Sequence, residues 1–147
     1  MKSLWDDALR ANILERIDSV EASSRARWGK MTADRMLSHL TESLKMALGE
    51  LQVASRRLPI RYFPLKQLIL YALPFPKGAP TAPELLAGNA SSLAVTKLEL
   101  HRLLHAFHER RQIDVWPEHP AFGKLSRRDW GVLVYRHMDH HLRQFGA

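Results

Sequence analysis

His137 and His141 stand four residues apart near the end of this 147-residue chain. On a helix that spacing puts two imidazoles on one face, one turn apart, where they can bind a single divalent metal ion. On a wheel of about 100° per residue the pair falls inside an apolar arc made by Trp130, Val134, Met138, Leu142 and Phe145. Imidazoles buried on such a face are costly unless something inside binds them. His140 falls at the edge of the arc and Gln144 falls beside His137. A further histidine, His39, borders the apolar arc of another segment (Met36, Leu37, Leu40, Leu44, Ala47, Leu48, Leu51), next to Ser43 and Met46. If these two helices face each other, three histidines surround one ion and leave coordination positions open, the pattern of a reactive site rather than a structural one. Gln144, Ser43 and Glu50 are candidates to orient the ligands or add an oxygen.

Other uses of histidine compete with this one. A buried imidazole can serve simply as a hydrogen-bonded core group. His101, His105 and His108 recur at i, i+4 and i+7, a weaker candidate metal set that the wheel places beside its helix's apolar arc, not within it. His119 precedes a proline and reads as structural. No phosphate-cradling glycine loop and no nucleophile elbow is present. With no cysteine, disulfides, zinc–thiolate sites and cysteine nucleophiles are excluded.

The elements that must position these residues are helical. Periodicity predicts a first long helix over about residues 3–20, opened by a capping-box form at Ser3-Leu4-Trp5-Asp6. Residues 21–30 read as a polar connection, and Thr32 as the N-cap of a second helix over about residues 33–52. Residues 55–89 carry Pro59, Pro64, Pro74, Pro76, Pro80 and Pro83 and break the pattern. A short helix over residues 65–73 is expected there, within a long crossover of a kind that is often functional. The apolar, basic start of that crossover, residues 56–73, suits a membrane surface, although packing across the fold is the preferred reading. A third long helix spans about residues 92–111, with Leu93, Leu100, Leu104 and Phe107 as its core stripe. After a second proline-rich link, Ser126 to Asp129 opens a fourth over about residues 126–145, with Gly146 as its stop. Four amphipathic helices in one domain covering residues 1–147 argue for an all-α four-helix bundle.

Composition bounds the function. Apolar residues make up 46% and charged residues 25%, ordinary for a soluble domain with a real core. No apolar run reaches the length of a spanning helix and the first residues lack the apolar stretch of a signal peptide, so a cytoplasmic location is expected. The net charge of +7 favours anionic partners. The basic pairs Arg56-Arg57, Arg110-Arg111 and Arg127-Arg128 are spread along the chain, which reads as a solvated basic surface and gives no strong indication of nucleic-acid or membrane binding.

Three segments carry a family resemblance: Arg27-Trp28-Gly29-Lys30-Met31-Thr32-Ala33 leading to Met36-Leu37-Ser38-His39-Leu40; Pro80-Thr81-Ala82-Pro83-Glu84-Leu85; and His119-Pro120-Ala121-Phe122-Gly123-Lys124-Leu125 through Trp130-Gly131 to the histidine helix ending at Gly146. The chain resembles the DinB-like (DinB/YfiT) superfamily of metal-binding helical bundles, and within it a branch known only as a domain of unknown function. The resemblance implies an up-down-down-up bundle with a long crossover between the second and third helices. It implies a metal triad at His39, His137 and His141, with Gln144 matching a glutamine three residues after the last histidine. Where many relatives read Arg-Gly in between, this chain reads Leu142-Arg143. Thiol-dependent transferases and an isomerase that uses glutathione or mycothiol belong to the superfamily.

The implied activity is metal-assisted thiol transfer to a small electrophile, with zinc, nickel or iron as the ion. A low-molecular-weight thiol is the cosubstrate, since the chain has no cysteine of its own. Arg35, Arg136 and Arg143 are candidates to hold that thiol's carboxylates. Two alternatives remain open: a metal-dependent hydrolase with Glu50 as a weak candidate base, and a non-enzymatic stress-related binding protein. Many relatives are dimers, which implies a homodimer here.

Overall fold

The computed structural model describes residues 1–75, 77, 81–86 and 92–147, and among these the chain is all-helical. Pro76, Pro80 and the end of the expected crossover up to Asn89 lie outside the described residues. The helices are α1 (Asp7–Ser19), α2 (Ala33–Leu48), α3 (Leu65–Gln67), α4 (Leu93–Glu109) and α5 (Arg127–Gln144). α3 runs on as a π-helical turn over Leu68–Ala72, and a short 3-10 turn, Pro83–Leu86, lies against α2.

Local chemistry accounts for most of the boundaries. α5 opens on a full capping box: the Ser126 hydroxyl accepts from the Asp129 amide while the Asp129 carboxylate accepts from the Ser126 amide. Ser92 caps α4 by accepting from Val95 N–H. The expected box at Ser3 does not form. α1 starts at Asp7, and its cap is Asp6, whose side chain accepts from Leu9 N–H. The reason is packing. Leu4 is fully buried, its amide donates to Gly131 O at 3.1 Å, and Trp5 stacks on Phe107 with ring centroids 4.6 Å apart. The first residues thus make a turn packed on α4 and α5 instead of a further turn of α1. α2 ends at Leu48, short of the expected residue 52, because Gly49 takes a left-handed φ of 80° and closes the helix. Thr32 sits at the N-cap of α2 but makes no side-chain capping bond.

α2 packs mainly on α4, while α1 lies against α5 and α4, and α2 also meets α5. The shared core contains Ile13 and Ile17 from α1, Leu37 and Leu40 from α2, Leu100 and Leu104 from α4, and Trp130 and Met138 from α5. Each such side chain removed from water contributes roughly 1.5–3 kcal/mol before conformational entropy is charged against it. Arg16 on α1 reaches Asp139 on α5 at 2.8 Å, and Arg143 meets the same carboxylate at 3.0 Å. The crossover is moored to α5 as well. Arg136 donates to the carbonyls of Ile69, Leu70 and Leu73, and the Tyr71 hydroxyl donates to Asp129.

Candidate metal centre

The contact between α2 and α5 brings His39, His137 and His141 together, with one ring nitrogen from each within 4.8 Å of the others. Among the described residues no other group of three or more histidines and carboxylates clusters this way. His39 Nε2 and His137 Nε2 are 3.0 Å apart. The three rings meet edge to face, with centroids 4.8–4.9 Å apart.

The neighbours decide which nitrogens face inward. Leu85 O, in the short turn against α2, can only accept, so His39 Nδ1 carries the proton and donates to it at 3.2 Å. Gln144 Nε2 donates to Trp28 O at 2.8 Å, which turns Gln144 Oε1 toward His141 Nδ1 at 2.9 Å. His141 Nδ1 is therefore also the protonated nitrogen. Both residues present an Nε2 lone pair to the centre of the cluster. Burial drives all three imidazoles below the ordinary histidine value of 6.5. His137 is held well below that value by burial, to which the like charges of His39 and His141 add. His141 is pushed down to about 4 by burial and His39, against the opposing bond to Gln144.

This donor set fits a divalent ion of the zinc–nickel–iron type. It offers neutral imidazoles at neutral pH, with the His39 and His141 Nε2 lone pairs turned inward and His137 Nε2–H donating to His39 Nε2 at 3.0 Å, a proton that an ion would displace. That separation compares with the roughly 3.3 Å edge of a tetrahedron with bonds of about 2.0–2.1 Å. Two of the three rings have their outer N–H fixed by an amide or peptide oxygen, the usual support for a ligating histidine.

The remaining candidates fall in different places. His140 is half-buried beside the triad, its ring against His141, Trp28 and Phe75. Ser43 bonds the backbone carbonyl of His39, not its ring, at 2.8 Å. Glu50 lies past the end of α2, exposed, with its carboxylate 3.6 Å from Arg102. Arg35 is exposed, Arg143 pairs with Asp139, and Arg136 spends its guanidinium on the three crossover carbonyls and the face of Phe75. The second histidine set disperses. His101 pairs with Asp18, His105 is exposed, and His108 is buried with Nε2 3.3 Å from Asp7. The wheel had put His108 beside the apolar arc, but the packing of α1 across α4 covers it. His119 Nδ1 accepts from the amides of Ala121 and Phe122, closing the turn before α5.

Sequence reasoning missed the walls of the site. Phe75 stands against His137 and His140, Trp28 against His140, and the Lys77 ammonium lies 4.5 Å from the centre of the Trp28 ring. One signal was available in Trp28-Gly29. Gly29 has φ 77°, and a Cβ there would stand 3.0 Å from Gln144 Nε2, so the loop comes this close to the histidine helix only with glycine.

Comparison with curated proteins and with solved structures gives no match. Comparison with protein families gives one over residues 2–147, and the chain belongs to that family, described as "Protein of unknown function (DUF1569)".

Proposed function

We propose that this protein is a DinB-like, up-down-down-up four-helix bundle that binds one divalent metal ion through His39, His137 and His141 and uses it as a thiol transferase on a small electrophile. The observation that carries the reading is the triad itself, three neutral imidazoles converging from two helices with outer bonds that fix two tautomers. A bound divalent ion supplies Lewis acidity, which lowers the pKa of a thiol or water that reaches it.

The chain's own residues do the rest. Leu85 O and Gln144 hold two imidazoles with their lone pairs inward. Phe75 and Trp28 wall one side of the histidine cluster, and Lys77 places a positive charge beside them that suits an anionic cosubstrate. In the transfer, the cosubstrate thiol loses its proton, its sulfur pair bonds the electrophilic carbon, and the leaving group departs with the displaced pair. His140 is the side chain beside the triad able to accept that proton.

Glu50, the carboxylate proposed as a hydrolytic base, lies with Arg102 instead of at the triad, so a hydrolytic reaction at this site would have to use His140 in its place. A cytoplasmic setting, where small thiols stay reduced, and a homodimer belong to the same proposal.

The test is metal content of tag-free protein by elemental mass spectrometry, beside His39→Ala and His137→Ala. About one ion per chain, lost in both variants, is expected. Thiol consumption with a panel of thiols and electrophiles should then depend on the ion. A wild-type protein that stays metal-free after anaerobic reconstitution with zinc, nickel and iron sinks the proposal.

A further inference from the structure

The crossover uses its apolar residues in two opposite ways. Ile60, Ile69, Leu70, Tyr71 and Phe75 pack on the core. Leu58, Tyr62, Phe63, Leu65, Leu68 and Leu73 face solvent, with exposures from 40% for Leu58 to 81% for Phe63. Along α3 and its π-helical turn, Leu65, Leu68 and Ala72 take the outer side and Leu70 the inner one. This outer face is held on a fixed support, since Arg136 and Tyr71 tie its backbone and underside to α5.

Its own segment carries charge of one sign, although Glu84 lies near Arg56, and Glu118 and Asp129 touch Arg61 and Tyr71 at its borders. From Leu51 to Pro83 the sequence has no aspartate or glutamate, while it carries Arg56, Arg57, Arg61, Lys66 and Lys77. Arg61 is committed to Glu118 and Lys66 to the carbonyl of Lys124, but Arg56 and Arg57 are exposed. Arg128 adds to the basic border, with its guanidinium over the Tyr71 ring.

These two properties select the occupant. A second copy docking through this face about a two-fold axis would bring basic border against basic border. A bilayer rich in anionic lipid satisfies both halves, because aromatic and aliphatic side chains enter the headgroup–acyl boundary while arginines meet the headgroups. We propose that residues 56–73 form a docking surface for an anionic membrane. The attachment is peripheral, since no described helix is long and apolar enough to cross one. It does not rest on the metal reading.

The experiment is co-sedimentation of the full chain with phosphatidylglycerol–phosphatidylcholine vesicles and with phosphatidylcholine vesicles alone. Salt-sensitive partitioning onto the anionic vesicles is expected. Phe63→Ser/Leu68→Ser and Arg56→Glu/Arg57→Glu should each weaken it about tenfold or more, with unchanged melting and helicity. A control reversal far along the chain, Arg25→Glu/Lys30→Glu, should change it little, and His39→Ala should leave it intact even where it abolishes metal binding. Failure to bind anionic vesicles at low salt overturns the proposal. So does an equal loss in the control, which would assign binding to general basicity. A dimer that the apolar variant dissociates, without vesicle binding in the wild type, would assign the face to a second copy instead.

Discussion

Replacing Gln144 tests how far the site depends on its support. Gln144 is buried and holds two bonds, accepting from His141 at 2.9 Å and donating to Trp28 O at 2.8 Å. Leucine fills a similar volume and makes neither. Gln144→Leu strands a carbonyl and an imidazole N–H, at about 1–3 kcal/mol each, lower for the partly exposed His141, for a total of about 2–4 kcal/mol. At roughly 3 °C per kcal/mol for a chain of this size, the metal-free Tm should fall by roughly 6–12 °C. His141 also loses the bond that fixes its tautomer, which should weaken metal binding about 10–100-fold. At saturating zinc that removes a further 1.4–2.7 kcal/mol, approximately, of ligand stabilisation. Gln144→Glu separates the two roles. It can still accept from His141 but sets a carboxylate oxygen against Trp28 O, so it should lose stability while keeping more of the affinity than leucine does. Thermal melts with and without zinc, with affinities from competition against a chromophoric chelator, read both quantities. If Gln144→Leu melts within about 2 °C of wild type and binds zinc equally well, the support argument is wrong.

Acid should destabilise the protein from the histidine range downward. Burial and Arg61 push His119 down to about 4, so the unfolded chain takes up the proton first; stability is complete above about 6.5 and is lost between there and 4, by about 2–3 kcal/mol for this residue. Denaturant midpoints at pH 7.5 and 4.5 should therefore differ less in His119→Asn, which keeps an acceptor but cannot titrate; an unchanged difference counts against the assignment. Gly131→Ala would set a Cβ 2.2 Å from Trp5 Nε1 and 2.5 Å from Ser3 Oγ, prising the first residues off α5 at about 1–3 kcal/mol, read by denaturation and by loss of Trp5 protection from quenching. Arg136→Met removes the donor to three crossover carbonyls, and limited proteolysis at Lys66 should quicken several-fold at unchanged global Tm; equal cleavage would show that the segment is held some other way. Glu50→Gln should leave metal content and thiol transfer as in wild type, and a large loss of turnover would revive hydrolysis.

What the sequence exposed was what is local. The capping box at Ser126 and Asp129, the i, i+4 facing of His137 and His141, and the edge position of His39 all follow from helix geometry within one segment. Ser3 and Asp6 illustrate where this stops. Both are good caps three residues apart, and the choice went to Asp6 because the burial of Leu4 and the stacking of Trp5 depend on helices about a hundred residues away. Leu85 O, Phe75 and Trp28 reach the site by the path of connecting chain, which periodicity does not describe. Arg136 looked free for a substrate carboxylate, since nothing in its own helix reveals the carbonyls that a π-helical turn turns toward it. His108, beside the apolar arc of its helix, shows a related limit: the helix alone does not predict which neighbour covers it.

His39 and His137 are 98 positions apart in sequence. An ion shared between them would be a cross-link that ties a loop of that length, in a chain with no cysteine to do so covalently. Closing a loop of this span costs an unfolded chain about 4–5 kcal/mol in the chain-entropy picture, so the ion is held by the folded chain, where the fold has already closed the loop, and hardly by the unfolded one. Unlike a disulfide, such a tie is made and broken without redox chemistry, by chelation or by protons competing for the imidazoles. The free metal around the chain would then set how far the closed, folded loop is favoured over an open coil.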